Sequence, residues 1–502
     1  MKQTRQVFLM LLLIASFFLG ISDWVDDRER FISWLIYGFI IASICFAILL
    51  EGRNPYKTLL WIYTMIFFPI AGYALYLMTG QLEVKGHLFR QKRQDNRWYF
   101  DRLHNNKPRD TWQGLGETEK TISTFIQQTT KNDMSFYTNA DILTNGEEKF
   151  PDLITNLKTA KHFIHLEYYI FRSDHIGTTI IDILCDKAEQ GVDVRVIYDG
   201  IGSIQLKRKA IQRMKQSGVN IYAFLPLSEG LKTQKVNFRN HRKIVIIDGQ
   251  TGYIGGLNIG DEYIGRSREF NFWRDTHVKI KGEAIQHLHT IFLMDWQYVS
   301  GEKLPIKQFI SNEALLQESA DGGVHIVSSG PDSEQGTMAD IYFTMVTEAR
   351  QSVWIATPYF IPNKAMRTAL STAASRGVDV RLMVPEKNDG FFTRYGTQSY
   401  FAELLSKGVD IYTYHKGFLH EKVIIVDENV ASIGTANVDL RSFNLNFEAN
   451  VFLFQSKAVA TLVNDYQSDL NDCRQVISSE WKNRPFSMRV KESFSRLFSP
   501  VL

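Results

Sequence analysis

Two distant stretches of this chain carry the same ordered set of polar residues. One runs Asn240-His241-Arg242-Lys243 through the apolar Ile244–Ile247 to Asp248, then Gly255 and Asn258. The other runs His420-Glu421-Lys422 through Val423–Val426 to Asp427, then Gly434 and Asn437. Counted from each His, Lys falls at +2, Asp at +7, Gly at +14 and Asn at +17 in both copies, and a glutamate, Glu269 or Glu448, at +28. Residues two apart in a strand share a face, so His241 emerges with Lys243 and His420 with Lys422. A neutral imidazole can attack phosphorus, an ammonium can neutralise its non-bridging oxygens, and the amide of Asn258 or Asn437 can donate to the same oxygens. This is a site for a phosphodiester, and its chemistry asks for no metal and no cofactor.

A single strand histidine is ordinarily a hydrogen-bonded structural residue. A second copy with matching Lys, Asn and Glu reverses that reading. With two half-sites facing each other, one His attacks phosphorus to form a phosphohistidine, while the other protonates the departing oxygen and later activates the acceptor hydroxyl. By analogy His241 takes the first role and His420 the second. Glu269 and Glu448 are expected each to hold the ring N–H of the His in its own repeat. Asp248 and Asp427 belong to the catalytic motif by position, yet at the ends of apolar runs they fit better as turn or structural carboxylates. Trp273, Tyr359 and Phe360 are core or site walls. The remaining ten histidines carry no such pattern.

The elements that must position these residues are duplicated too. His162–Ile170 resembles Ser352–Phe360, Gly191-Val192-Asp193 pairs with Gly377-Val378-Asp379, and Gly218-Val219-Asn220 with Gly408-Val409-Asp410. Each Gly-Val-Asx unit closes a helix-like stretch and opens a β-branched run, a helix ending at glycine and then a strand. Strand and helix therefore alternate in both halves, which predicts an α/β fold with a largely parallel sheet in each half and a pseudo-twofold axis between them.

The composition, 44% hydrophobic and 22% charged over 502 residues, excludes a disordered or low-complexity chain and allows two or three structural units. With 57 basic against 54 acidic residues there is no global field to draw nucleic acid, and three cysteines make neither a disulfide framework nor a zinc pattern. The membrane-like character sits in residues 1–80, in uncharged runs at Val7–Ile21, Phe31–Leu50 and Thr58–Thr79, the last interrupted at Pro69. The second and third are long enough for a core of about 30 Å at roughly 20 residues per helix. The first reads as a retained helix rather than a cleaved signal. The positive-inside rule puts both Lys2 with Arg5 and the cluster Lys85, Arg90, Lys92, Arg93, Arg97 in the cytoplasm. Three crossings do not allow that: either one segment does not span or the N-terminus lies outside. Residues 81–130, with Lys107-Pro108-Arg109, read as a polar connector near the membrane surface, 131–310 as the first repeat, and 311–502 as the second repeat with its tail.

The pattern His-x-Lys-x4-Asp-x6-Gly-x2-Asn, twice in one chain, resembles the phospholipase D superfamily. Gly255–Tyr263, Trp273-Arg274-Asp275-Thr276, Gly434–Phe443, the N-terminal Asn54-Pro55 with Trp61, Pro69, Gly72 and Gly80, and the C-terminal Arg496–Leu502 are similar to bacterial cardiolipin synthases across nearly the whole chain. The resemblance implies a multi-pass membrane enzyme with a cytoplasmic catalytic region. It would transfer a phosphatidyl group from one phosphatidylglycerol to another, giving cardiolipin and glycerol. Its partners would be membrane phospholipids, not nucleic acid. The rivals are a phospholipase D that uses water, a nuclease, disfavoured by the anchor and the near-neutral charge, and a catalytically silent lipid-binding scaffold.

Overall fold

The computed structural model describes residues 2–51, 55–80, 88–103, 114–233, 235–266, 270–309, 320–333 and 336–499. Glu269, Lys85, Lys107–Arg109 and residues 500–502 lie outside the described residues. The chain divides into two compact units, 1–89 with 228–237, and 90–227 with 238–502.

The first unit is built on apolar helices α1 (Lys2–Ile21), α2 (Asp27–Leu49), α3 (Pro55–Phe67) and α4 (Pro69–Thr79). Asp26 caps α2, its carboxylate accepting from Glu29 N–H at 2.7 Å, and Phe17 of α1 packs edge-on against Trp34 of α2. Helix α2 is long and apolar enough to cross a membrane, while the apolar part of α1, Gln6–Ile21, is shorter. The run at 58–79 is not the single crossing its length predicts. Pro69 has no N–H to continue the ladder, and the helix breaks at Phe68. The two arms fold back on each other, Trp61 against Tyr76 and Gly72 against Thr64, where a Cβ on Gly72 would sit 2.8 Å from the Thr64 carbonyl oxygen. Arms of 13 and 11 residues reach about 20 and 17 Å at 1.5 Å per residue, too short to span.

The second unit holds both repeats. The first sheet runs, in spatial order, 138–144, 276–282, 251–255, 243–247, 163–168, 193–199, 220–224. The second runs 323–329, 446–454, 430–434, 423–426, 352–356, 379–385, 410–414, 473–475. Both are mixed rather than largely parallel. The Gly-Val-Asx strands are parallel as predicted, and the motif strands enter antiparallel beside them. Each motif strand also turns back as an antiparallel hairpin at the motif aspartate. Asp248 and Gly249 have φ of +53° and +65°, and Asp427 and Glu428 +52° and +55°, which the tight twisted turn of an antiparallel hairpin requires.

The same aspartates tie each hairpin to the strand that pairs antiparallel with its motif strand. The Asp248 carboxylate accepts from the N–H groups of Lys161, His162 and Phe163, each at 2.8 Å, and Asp427 accepts from Arg350, Gln351 and Ser352. They sit at the far ends of the motif strands, about 17 Å from Lys243 in the first repeat at ~3.3 Å per residue. Their place among the catalytic residues is thus corrected to the structural role.

The connector is no free tether. Leu115, Ile122 and Ile126, on and beside helix Glu117–Thr130, join the core of the second repeat, and Ser123 pairs with His325 at 2.8 Å. Ile122, Phe125 and Ile126, at helical i, i+3 and i+4 spacing, give this helix a face to bury despite its polar composition.

Candidate active site

The two repeats are joined by a reciprocal exchange of short strands. Arg239–Asn240, just before the first motif His, pairs parallel with Asn446–Phe447. Phe418–Leu419, just before the second, pairs parallel with Trp273–Arg274. The ladder continues into the histidines, whose backbone N–H groups donate across the boundary, His241 to Phe447 O at 2.9 Å and His420 to Arg274 O at 2.7 Å. The next residue on each partner strand is a carboxylate, Glu448 or Asp275, and pairing in register brings it to the imidazole.

His241 Nδ1 lies 2.9 and 3.1 Å from the Glu448 carboxylate oxygens, and His420 Nδ1 lies 2.7 Å from Asp275 Oδ2. A carboxylate on Nδ1 fixes the tautomer with the proton there and leaves the Nε2 lone pair free. Both rings line one cavity of about 630 Å³, with Asn258, Asn437, Tyr169, Trp273 and Tyr359 in its wall. Phe360 is core instead.

The expected partnership of each His with the glutamate of its own repeat is therefore replaced by a crossed one. Glu448 serves His241, and Asp275, which counting had passed over, serves His420. From the motif glycine the carboxylate stands 14 residues on in the second repeat (Gly434 to Glu448) and 20 in the first (Gly255 to Asp275). Six extra residues in the first repeat bring Glu269 to the +28 position by coincidence. The Gly255–His277 and Gly434–Asn450 pairings fix the true equivalence, and Trp273-Arg274-Asp275-Thr276 was the sequence signal.

The lysines lie behind the rings. Lys243 Nζ donates to the carbonyl of His241 at 2.5 Å, and Lys422 Nζ donates to that of His420 and stands 3.0 Å from its Nδ1. Burial dominates the electrostatics. It takes the imidazoles of His241 and His420 down to about 4 and about 3, outweighing Glu448 and Asp275, so both rings are neutral near pH 7. It also lowers Lys243 to about 7 and Lys422 to about 8. Burial alone would raise Glu448 and Asp275, but the facing histidines and lysines bring both net below the usual carboxylate range. An anion entering this pocket stands in front of the two rings and favours, through space, the protonated form of the lysines behind them.

The asparagines are positioned by their own loops. Asn258 accepts from Ile170 N–H at 3.1 Å and donates to Tyr263 Oη at 3.0 Å, while Asn437 donates to Asp439 at 3.1 Å. Behind the site, Arg242 bonds Asp295 and the Glu448 carbonyl, and Lys92 from the connector helix Arg90–Leu103 reaches Asp295 at 2.8 Å and Asp332 at 2.6 Å. The residue between His241 and Lys243 is thereby tied to both repeats and to the connector.

A duplicated α/β fold that brings a His from each copy to one cavity, with a Lys behind each ring, defines an enzyme of the phospholipase D type. The model "Cardiolipin synthase, PLD-like domain" matches residues 153–296 and 342–470, and "Phospholipase_D-nuclease N-terminal" matches 35–81. The chain is 46% identical over 496 residues to the probable cardiolipin synthase YwiE of Bacillus subtilis, spanning 99% of this chain and 98% of that one. It is 42% identical to the cardiolipin synthase of Halalkalibacterium halodurans over the full length of both. The fold resembles the crystal structure of phosphatidylserine synthase from Haemophilus influenzae (TM-score 0.58, 14% identity, 76% of this chain and 100% of that one). The chain belongs to the cardiolipin synthase family of phospholipase D-type phosphatidyltransferases.

Two predictions follow from the crossed geometry and the buried charges. Asp275→Asn is expected to lower kcat by about 10²-fold or more, because the amide cannot stabilise an imidazolium at His420, whereas Glu269→Gln stays within about threefold of wild type. Steady-state kinetics on the two proteins decides between them. Because the lysine pKa values are lowered, the ammoniums are present below them and lost as pH rises. The kcat/KM profile should fall through pH 7 to 8 and steepen above. A profile still rising at pH 9 contradicts this.

Proposed function

We propose that the enzyme transfers a phosphatidyl group between two phosphatidylglycerol molecules through a phosphohistidine on His241. The observation that carries this reading is the pair of imidazoles on one cavity, each with Nδ1 held by a carboxylate and Nε2 free. His241 Nε2 attacks phosphorus of the donor, the P–N bond forms, and the P–O bond to the head-group glycerol breaks. His420, which takes up its proton as the anionic diester enters, gives that proton to the departing alkoxide, and glycerol leaves. His420 Nε2 then accepts the proton of a hydroxyl on the second phosphatidylglycerol. That oxygen attacks phosphorus, the P–N bond breaks, and cardiolipin is formed; as it leaves, His420 returns to solvent the proton it took up on substrate entry, and both histidines are restored. Lys243, Lys422, Asn258 and Asn437 bind the non-bridging oxygens and the charge that develops on them. One phosphodiester is exchanged for another, so no nucleotide is consumed.

Full-length protein in detergent, given phosphatidylglycerol alone, is expected to release glycerol and cardiolipin in equal amounts, with chelator making no difference. Phosphatidic acid without cardiolipin would mark a hydrolase. With a donor carrying a good leaving group, His420→Ala should still accumulate phosphohistidine and His241→Ala should not. The opposite pattern reverses the two roles.

The N-terminal helices support a multi-pass anchor with α1 and α2 crossing and the α3–α4 hairpin entering and leaving on one side. Two crossings put Lys2 and the basic residues after α4 on the same, cytoplasmic, side, which the positive-inside rule asks for and three crossings would forbid. In a cysteine-free background, an impermeant maleimide should label Trp24→Cys in intact cells, Trp24 lying exposed in the turn between α1 and α2, and label the exposed Glu147→Cys only after lysis. Labelling of Glu147→Cys in intact cells would place the catalytic region outside.

A further inference from the structure

The last helix among the described residues, Phe486–Arg496, is packed inside out. Its buried residues are polar, Glu492 and Ser495, followed by Ser499 just beyond its end. Glu492 is held by the guanidinium of Arg484 at 2.6 Å, and Ser499 pairs with Tyr400 Oη at 3.2 Å. Apart from the half-buried Met488, the apolar residues take the other face. Phe486, Val490, Phe494 and Leu497, at i, i+4, i+8 and i+11, are exposed by 78, 49, 50 and 74%. A helix of a water-facing domain buries such a stripe, so leaving it outward while satisfying polar groups inward costs free energy unless something apolar covers it.

The stripe is continued by the helix packed beside it, Phe391–Gln398, which begins with the exposed Phe391 and the half-exposed Phe392. Phe392 meets Phe498 at 4.8 Å and Phe494 at 6.2 Å between ring centroids, so the two helices present one aromatic surface. That surface reaches the mouth of the active site. Asp389, Gly390 and Thr393, flanking Phe391 and Phe392 in sequence, line the catalytic cavity, and Tyr359 Oη donates to Asp389 at 2.5 Å to fix the turn. The border is basic. Between Ser478 and Ser499 Arg484 and Glu492 neutralise each other, which leaves Lys482, Arg489, Lys491 and Arg496 against Glu480, with Arg496 also 3.9 Å from Glu403.

We propose that this surface is a second membrane-docking site, separate from the N-terminal helices, which seats the active-site mouth on an anionic bilayer so that phosphatidylglycerol enters the cavity without crossing water. The proposal rests on the lipid substrate read above. Aromatic and aliphatic side chains enter the head-group and upper acyl region, and the arginines and lysines at the edge meet lipid phosphates, the arrangement of an interfacial amphipathic helix.

The test uses full-length protein in proteoliposomes, with long-chain phosphatidylglycerol in the bilayer or dihexanoyl phosphatidylglycerol dissolved as monomer. Phe486→Ser/Leu497→Ser is expected to lower kcat/KM on the bilayer substrate by about tenfold or more and to leave turnover of the soluble one within about twofold. Phe486→Trp/Leu497→Trp should keep the bilayer activity, since tryptophan favours the membrane interface. Equal loss on both substrates would make the stripe a folding element, and unchanged bilayer activity would leave it no lipid role. A shift in oligomeric state of the serine variant, read by sedimentation in detergent, would assign the surface to a second copy of the chain. Each of these outcomes overturns the proposal, whereas a wild type inactive on both substrates would instead sink the phosphatidylglycerol reading beneath it.

Discussion

The structure depends on an exchange of two short strands between the repeats. Because Arg239–Asn240 pairs with Asn446–Phe447 and Phe418–Leu419 with Trp273–Arg274, each motif imidazole meets a carboxylate from the other half of the chain. A backbone ladder sets positions to a fraction of an ångström, a precision that side chains on separate loops would not supply. Neither repeat makes a complete half-site alone. That is a physical reason for the duplication to be retained as a pair: the symmetry that brings the two Nε2 atoms to one cavity is the same symmetry that completes each ring.

The electrostatics follow from that geometry. Two histidines, two lysines and two carboxylates share a buried volume, and burial is the largest influence on every one of them. The histidines are held neutral, the state that can act as nucleophile or base, while the ammoniums sit close to neutrality until an anion arrives. A pocket of this kind is poised for a phosphodiester, since the charge it brings satisfies groups that otherwise bear the desolvation cost.

Much of this was legible in the sequence because duplication lets the chain be compared with itself. The motif histidines, lysines and asparagines, the Gly-Val-Asx junctions and the turn aspartates each carry a local signature that survives repetition. What was not legible lies between the repeats. Glu269 was matched to Glu448 by counting from His, and six inserted residues defeat a count. Only strand register identifies Asp275, and pairing register across a domain boundary is a tertiary property. The mixed sheets were missed for a nearer reason, since Asp248-Gly249 is itself a hairpin signal that the α/β alternation overshadowed. The length of the run at 58–79 points to one crossing, yet Pro69, with Gly72 allowing close approach to Thr64, reverses the chain.

The crossed composite site is tested most directly by a cryo-EM structure of the full-length protein in nanodiscs with tungstate bound as a phosphate analogue. The account predicts a single ion within about 3.5 Å of Nε2 of both His241 and His420, with Glu448 on Nδ1 of the first and Asp275 on Nδ1 of the second. An ion held by one repeat alone, or an imidazole oriented by a carboxylate of its own repeat, would contradict it.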